Sequence, residues 1–185
     1  MASLHLLGVI GSIRKGSHNR ALVRAIGEEL PAGVTLSFYD RLGELPVFDP
    51  DRKDNPEVVE HFKDAVRAAD GLIIATPEYN YSISGLLKNA IDWASRPPPT
   101  SPLRGKPVGI VSASTGISGG MRAQYHLRQM LVFTNSPAMN QPEVIIPRAQ
   151  DRFDADGKLA DESTRELLRK FGVALAEWVE RFRPA

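Results

Sequence analysis

Gly11-Ser12-Ile13-Arg14-Lys15-Gly16-Ser17-His18-Asn19-Arg20-Ala21-Leu22 is the stretch on which the fold turns. It follows an apolar run, Leu6 to Ile10, and leads into a segment where Ala21, Leu22, Ala25, Ile26 and Leu30 recur at helical spacing. The pattern predicts a strand over Leu4–Ile10, a polar loop, and a helix over Ala21–Leu30 closed by Pro31 and Gly33. A strand, a polar loop and a helix N-terminus form an anion cradle, because the first helical amides lack intrahelical acceptors and the helix dipole aims its positive end at the loop. Gly11 and Gly16 allow close backbone approach. Ser12, Ser17 and Asn19 offer side-chain hydrogen bonds, and Arg14 adds a planar, permanent positive charge. Such a set suits a terminal phosphate. The plainer alternative is a strand-to-helix turn with Ser17 as its cap.

Two familiar phosphate loops do not match. A Walker loop needs Gly-x-x-x-x-Gly-Lys followed by Ser or Thr, but Ser17-His18 follows Gly16, so the phosphate-reaching lysine is missing. The dinucleotide fingerprint needs Gly-x-Gly-x-x-Gly, whereas Gly8 and Gly11 give only Gly-x-x-Gly. A hydroxyl-rich cradle with one arginine is left, as expected for a mononucleotide.

Outward from this loop, Val34–Tyr39 reads as a second strand and Leu45–Asp51, with Pro46 and Pro50, as a loop at the sheet's ligand edge. Asn55-Pro56-Glu57 reads as a helix start with Asn55 as cap, and Val58, Val59, Phe62, Ala65, Val66 and Ala69 form the buried face of that helix. Gly71–Thr76 is a third strand without a polar face, followed by the loop Pro77–Tyr81 and a helix from Ile83 to about Ser95. Arg96–Pro102 is rich in proline and reads as an exposed, irregular connection. A fourth strand (Pro107–Ser112), a small-residue loop (Ala113–Gly120), a helix (Met121–Phe133), a fifth strand (Pro142–Ile146), a polar excursion (Arg148–Ala160) and a closing helix (Ser163–Phe182) complete the chain. Strand and helix alternate five times, which predicts one α/β domain over residues 1–185, a parallel sheet with helices on both faces. Ligands of such sheets bind beyond the carboxyl ends of the strands, so the loops after strands one, three and four should converge.

The totals narrow the chemistry. Among 185 residues there is no cysteine, which excludes disulfides, thiol redox chemistry, iron–sulfur clusters and thiolate metal sites. Electrons, if this protein moves them, need a bound cofactor. The net charge of +1 argues for neither nucleic acid nor a membrane surface as partner. His5, His18, His61 and His126 are scattered without metal-ligand spacing. Met1–Ile10 lacks a basic segment followed by a long apolar run, no stretch approaches the ~20 apolar residues of a membrane span, and a cytoplasmic location is the default expectation.

Pro77-Glu78-Tyr79-Asn80-Tyr81 packs a rigid turn, a carboxylate, two phenols and an amide into five residues. Its backbone can meet the edge of a planar heterocycle, and the tyrosines can line a ring pocket or pack at the sheet end. Ser114-Thr115-Gly116-Ile117-Ser118-Gly119-Gly120 adds amides and close backbone approach. A phosphate cradle with a slot for a flat polar ring describes an FMN site. Gly116-Ile117-Ser118-Gly119-Gly120 also matches the hydrolase elbow Gly-x-Ser-x-Gly, but the one later histidine, His126, is eight residues on with no acid between. A response-regulator-like switch would want paired acids after the first strand, where this chain has Gly8 and Gly11. A flavodoxin-like FMN electron carrier is the remaining rival; such carriers are strongly acidic, and the charge of +1 and Arg14 weigh against it.

The segments Gly11–Asn19, Pro77–Ser82 and Leu87-Lys88-Asn89-Ala90-Ile91-Asp92-Trp93 resemble those of the NADPH-dependent FMN reductases, more narrowly their bacterial chromate and quinone reductase branch, with azoreductase-like relatives. Arg122 to Leu131 and Pro142-Glu143 are similar to that branch too, so the resemblance runs from about Leu6 to Glu143. It implies a flavodoxin-like five-stranded parallel sheet in the order 2-1-3-4-5 and non-covalent FMN. Hydride would pass from NADPH or NADH to FMN, then to quinones, azo or nitro compounds, or metal oxyanions such as chromate. By position it implies that Ser12, Arg14, Ser17 and Asn19 hold the FMN phosphate, with Ile13, Lys15, Gly16 and His18 completing the loop. Pro77, Glu78, Tyr79 and Asn80 would meet the isoalloxazine and ribityl side, and Ser114 would approach from the third loop. No catalytic acid or base is implied, because the flavin carries the chemistry. A homodimer or homotetramer is implied, with Arg122, Tyr125 and Glu143 at positions that look like subunit contacts. Two departures stand out: His18 where an aromatic such as Phe is common, and Ser84 where proline commonly precedes Gly85.

Overall fold

A computed structural model describes residues 3–183. Five strands, β1 (Leu4–Ile10), β2 (Val34–Phe38), β3 (Gly71–Ala75), β4 (Val108–Ala113) and β5 (Val144–Ile146), form one parallel sheet in the order β2-β1-β3-β4-β5. Five helices connect and cover it: α1 (His18–Glu28), α2 (Glu57–Ala68), α3 (Gly85–Ala94), α4 (Met121–Thr134) and α5 (Glu162–Glu180). The order reverses between β1 and β3, so the crevice of a doubly wound sheet lies above those two strands.

Alternation within the central strands sorts side chains between two cores. Leu7, Val9, Leu72, Ile74, Val108 and Ile110 face a cluster completed by Val59 and Phe62 of α2, Leu87 of α3, and Leu127 and Leu131 of α4. Leu4, Leu6, Ile10, Ile73, Ala75 and Val111 face the other, with Leu22 and Ile26 of α1 and Leu168, Phe171 and Leu175 of α5. Every residue of β3 and β4 is buried, as continuous apolar runs in a sheet covered on both faces require. At Gly109 a Cβ would come within 2.7 Å of Phe171 Cζ, so the missing side chain is what lets α5 lie directly on β4.

Several predicted boundaries shift, each for a local reason. The first helix starts at His18, three residues before Ala21, because the Ser17 side chain caps it by accepting from the Arg20 amide. Asn55 is not the cap of α2. Pro56 occupies that position without a side-chain bond, and Asn55 Nδ2 donates instead to Glu60 Oε1. The proline-rich connection is neither irregular nor fully exposed. Pro98–Thr100 forms a 3-10 turn, and Ser101, Pro102 and Leu103 are buried. Ser101 Oγ donates to Ala94 O, and Ser136 Oγ to Leu103 O, so side chains fasten that loop at both ends. The polar excursion after β5 packs Phe153 and Leu159 into the α1–α5 core and pairs them across a short bridge.

Candidate active site

The loops after β1, β3 and β4 do converge. They enclose a cleft of about 190 Å³ lined by Ser12, Arg14 and Gly16 to Asn19 from the first, Pro77 to Tyr79 from the second, and Ala113 to Thr115 from the third. At its floor α1 points its N-terminus into the loop. With Ser17 Oγ taking the Arg20 amide and Ser17 O taking the Ala21 amide, the amides of His18 and Asn19 have no acceptor among the described residues. No acidic side chain occupies the first turn. Arg14 pairs with no carboxylate among the described residues. The cleft is thus rich in donors and positive in charge, a geometry made for phosphate.

Beside it lies a more open depression of about 380 Å³ lined by Gly11, Ser12, Ile13, Arg14, Tyr79, Ser84, Gly85 and Leu86. The two spaces share Ser12, Arg14 and Tyr79. Ile13 stands 73% exposed over the depression, resting one methyl against Gly43, and the Tyr79 ring is exposed as well. A flat, partly apolar molecule with a phosphate tail matches a donor-rich slot joined to an apolar shelf.

Three of the anticipated residues act in ways the sequence did not indicate. Asn19 is 4% exposed, and its carboxamide both donates to Ala113 O and accepts from Ala113 N, each at 3.0 Å. It staples the first loop to the end of β4, so only its backbone amide faces an anion. The Glu78 side chain is 7% exposed. Its carboxylate accepts from Arg122 Nε at 2.6 Å and from the Arg122 amide in the first turn of α4 at 3.2 Å, so it anchors the loop at the border of the cleft. Asn80 and Tyr81, with φ of 49° and 65°, form the two-residue tip of a tight hairpin in which Tyr79 and Ser82 exchange backbone hydrogen bonds. Arg122 also lies over the Tyr81 ring, 3.9 Å from its centroid.

The remaining supports come from positions with a weak sequence signal. Ser84, where proline is common in the resembling family, caps α3 through the Leu87 amide and donates from Oγ to Gly11 O at 2.7 Å, joining the first two loops. His18, the other departure, packs its ring 6.2 Å from that of Phe153. Ser114 Oγ accepts from the Gly116 amide, and Ser114 O accepts from the Ala149 amide, so the third loop leans on the segment after β5. At Gly120, with φ of 92°, a Cβ would approach Ser112 Oγ to 2.8 Å, and α4 starts from that glycine. Ser118 and His126 do not form a nucleophile–base pair: His126 Nδ1 bonds Ser82 Oγ instead. Among the described residues no cluster of His, Cys, Asp or Glu could hold a metal, and no helix is long and apolar enough to cross a membrane.

Sheet order, switch point and donor-rich cleft define a flavodoxin-like protein with a mononucleotide-type site. The family model described as NADPH-dependent FMN reductase matches residues 4–151, and the chain belongs to that family. It is 48% identical over 182 residues to an NAD(P)H-dependent FMN reductase of Pseudomonas aeruginosa, covering 97% of each chain. It is 40% identical over 184 residues to a quinone reductase of Escherichia coli K12, again covering 97% of each. Among solved structures, a flavoenzyme NAD(P)H:(acceptor) oxidoreductase from Paracoccus denitrificans superposes with a TM-score of 0.89 at 33% identity, covering 97% of this chain and 98% of that one.

Proposed function

We propose that this protein is an FMN-dependent NAD(P)H oxidoreductase with quinones as acceptors, working as a single domain and as a homodimer or homotetramer. The observation that carries the reading is the joining of a donor-rich cleft at the N-terminus of α1 to a partly apolar shelf, with Arg14 lining both and paired with no carboxylate among the described residues. These residues fit FMN. The amides of His18 and Asn19, the hydroxyls of Ser12 and Ser17, and the Arg14 guanidinium would hold the phosphate, with Ile13, Lys15 and Gly16 shaping the loop. The Pro77–Asn80 backbone and Ser114 would border the ribityl chain and ring, and Tyr79 and Ile13 would give the ring an apolar surround. When bound, FMN would supply the redox chemistry that links NADPH or NADH as hydride donor to the acceptor. The protein's part is to bind, orient and shield: the Glu78–Arg122 pair and the Ser84–Gly11 bond hold the loops in register around the ring. The relatives' names support quinones; azo compounds, nitro compounds and chromate are further acceptors to assay.

The deciding experiment is the visible spectrum of the purified protein, followed by anaerobic addition of NADPH. Flavin absorption near ~450 nm that bleaches at once supports the reading. Bound flavin that neither NADPH nor NADH bleaches points to an electron carrier, and no flavin after incubation with FMN overturns both.

A further inference from the structure

A third depression, of about 280 Å³, adjoins the cofactor cleft and shares Gly16, Ser17 and His18 with it. Apart from Gly16 itself and its two chain neighbours, nothing among the described residues lies within 4 Å of where a Gly16 Cβ would stand, so the shared turn is open. The phosphate loop and α1 supply one wall, with Lys15 and Arg24 pairing with no carboxylate among the described residues. A third cation, Arg20, is already taken by Asp40 at 2.7 Å. The excursion after β5 supplies the opposite wall. There Asp154 Oδ1 accepts from the amides of Asp156 and Lys158, which fixes the turn, while the Asp156 carboxylate makes no bond among the described residues. Between the walls the His18 ring rests against Phe153, tilted 32°.

The mix of charges is informative. A bare anion would face Asp154 and Asp156, and a bare cation would face Lys15 and Arg24. A nucleotide satisfies both walls, because its phosphates seek guanidinium and ammonium groups, its ribose hydroxyls donate to carboxylates, and its base lies on an aromatic or imidazole face. The volume suits a nucleotide fragment and not a whole dinucleotide. We propose that this depression is an adenosine-phosphate subsite, occupied by the adenylate half of a dinucleotide whose reactive half sits in the cofactor cleft or on its shelf. The proposal rests on the reading of that cleft as an FMN site. Two sources share this chemistry: the adenylate of NAD(P)H, or that of FAD bound in place of FMN.

The test is calorimetric titration of ADP into the FMN-loaded protein, its flavin content recorded first by absorbance, with Arg24→Ala and Asp156→Ala beside the wild type. Both residues are exposed and stand outside the groups assigned to FMN. ADP should bind with a sub-millimolar Kd, and each substitution should weaken it about tenfold while FMN content is unchanged. If the source is NAD(P)H, ADP competes with NADPH and Arg24→Ala raises KM for NADPH about tenfold at constant kcat. If the source is FAD, that KM stays put and Arg24→Ala lowers affinity for FAD, but not FMN, about tenfold. A flavin-loaded protein that gives no heat with ADP up to about 1 mM overturns the subsite and leaves the FMN reading intact. ADP binding that ignores both substitutions overturns the location. A protein that takes neither FMN nor FAD overturns the parent reading, and with it the dinucleotide, even if ADP binds.

Discussion

At its amino end α1 presents the amides of His18 and Asn19 without an acceptor among the described residues and carries no acid in its first turn. At its carboxyl end the next residue, Glu29, has a side chain only 10% exposed and held by Arg165 at 2.9 Å and Arg169 at 3.0 Å, both from α5. One helix therefore shows two strategies. The amino end leaves donors open, at a cost in stability, so that a ligand can complete them. The carboxyl end is completed from within, by ion pairs and by the Leu22, Ile26, Phe171 and Leu175 packing between α1, the sheet and α5. Stability and binding are separated along a single element, and substitutions should sort accordingly.

The largest expected effect lies in the closed region. Phe171→Ala removes a side chain 1% exposed from the core over β4 and should cost about 3–5 kcal/mol in urea unfolding. Asn19→Ala tests the joint between the two regions. It deletes two buried hydrogen bonds and strands the amide and carbonyl of Ala113, so unfolding should be easier by about 2–4 kcal/mol, with looser flavin binding alongside. Equal stability of that variant would break the separation, by showing that the staple is dispensable. Arg14→Ala should do the reverse of Phe171→Ala. FMN affinity should fall about 10- to 100-fold, riboflavin affinity, which involves no phosphate, should hold, and stability should move by no more than about 0.5 kcal/mol.

Smaller effects concern charge at the closed end. Glu29→Gln should cost about 1–2 kcal/mol in unfolding with flavin affinity unchanged. The hydrogen bond from Arg165, above all, holds the Glu29 carboxyl below its usual 4.5 despite the opposing effect of burial. Asp161 is likewise held below its usual 3.8, by hydrogen bonds from Ser163 and Thr164 and from Arg152. Both carboxylates release their protons more readily folded than unfolded. Their contribution is therefore complete above about pH 5 and is lost as pH falls through 4.5 and below. A melting temperature that drops over that range in the wild type, and drops less in Glu29→Gln, would sharpen the assignment.

Much of this was legible in the chain. Apolar runs marked β1 and β3 as buried strands, because a strand covered on both faces has no solvated side to fill with polar residues. Helical periodicity in α1, α2 and α5 gave the alternation that a parallel sheet demands. Glycine, hydroxyls and arginine placed between a strand and a helix marked the cradle, since those residue types act locally on the backbone that carries them. The Ser17 cap was legible too, as the plainer reading of the loop, although the apolar periodicity alone put the helix start at Ala21 and not at His18.

What the tertiary structure alone decided were the partners of polar side chains. The Asn19 carboxamide looks like a phosphate donor in the sequence, but Ala113, ninety-four residues away, takes both its ends and leaves the backbone amide for the cleft. The Glu78 carboxylate looks free in the sequence, and the fold gives it Arg122, forty-four residues on, as its partner. Ser84 looks like a mere loss of proline until its hydroxyl reaches Gly11 O. The physical reason is one of range. Periodicity, capping and turn chemistry are written within a few residues and need no knowledge of the rest of the chain. A buried polar atom must find its partner wherever the fold brings one within about 3 Å, and in a doubly wound sheet that partner comes from a different loop.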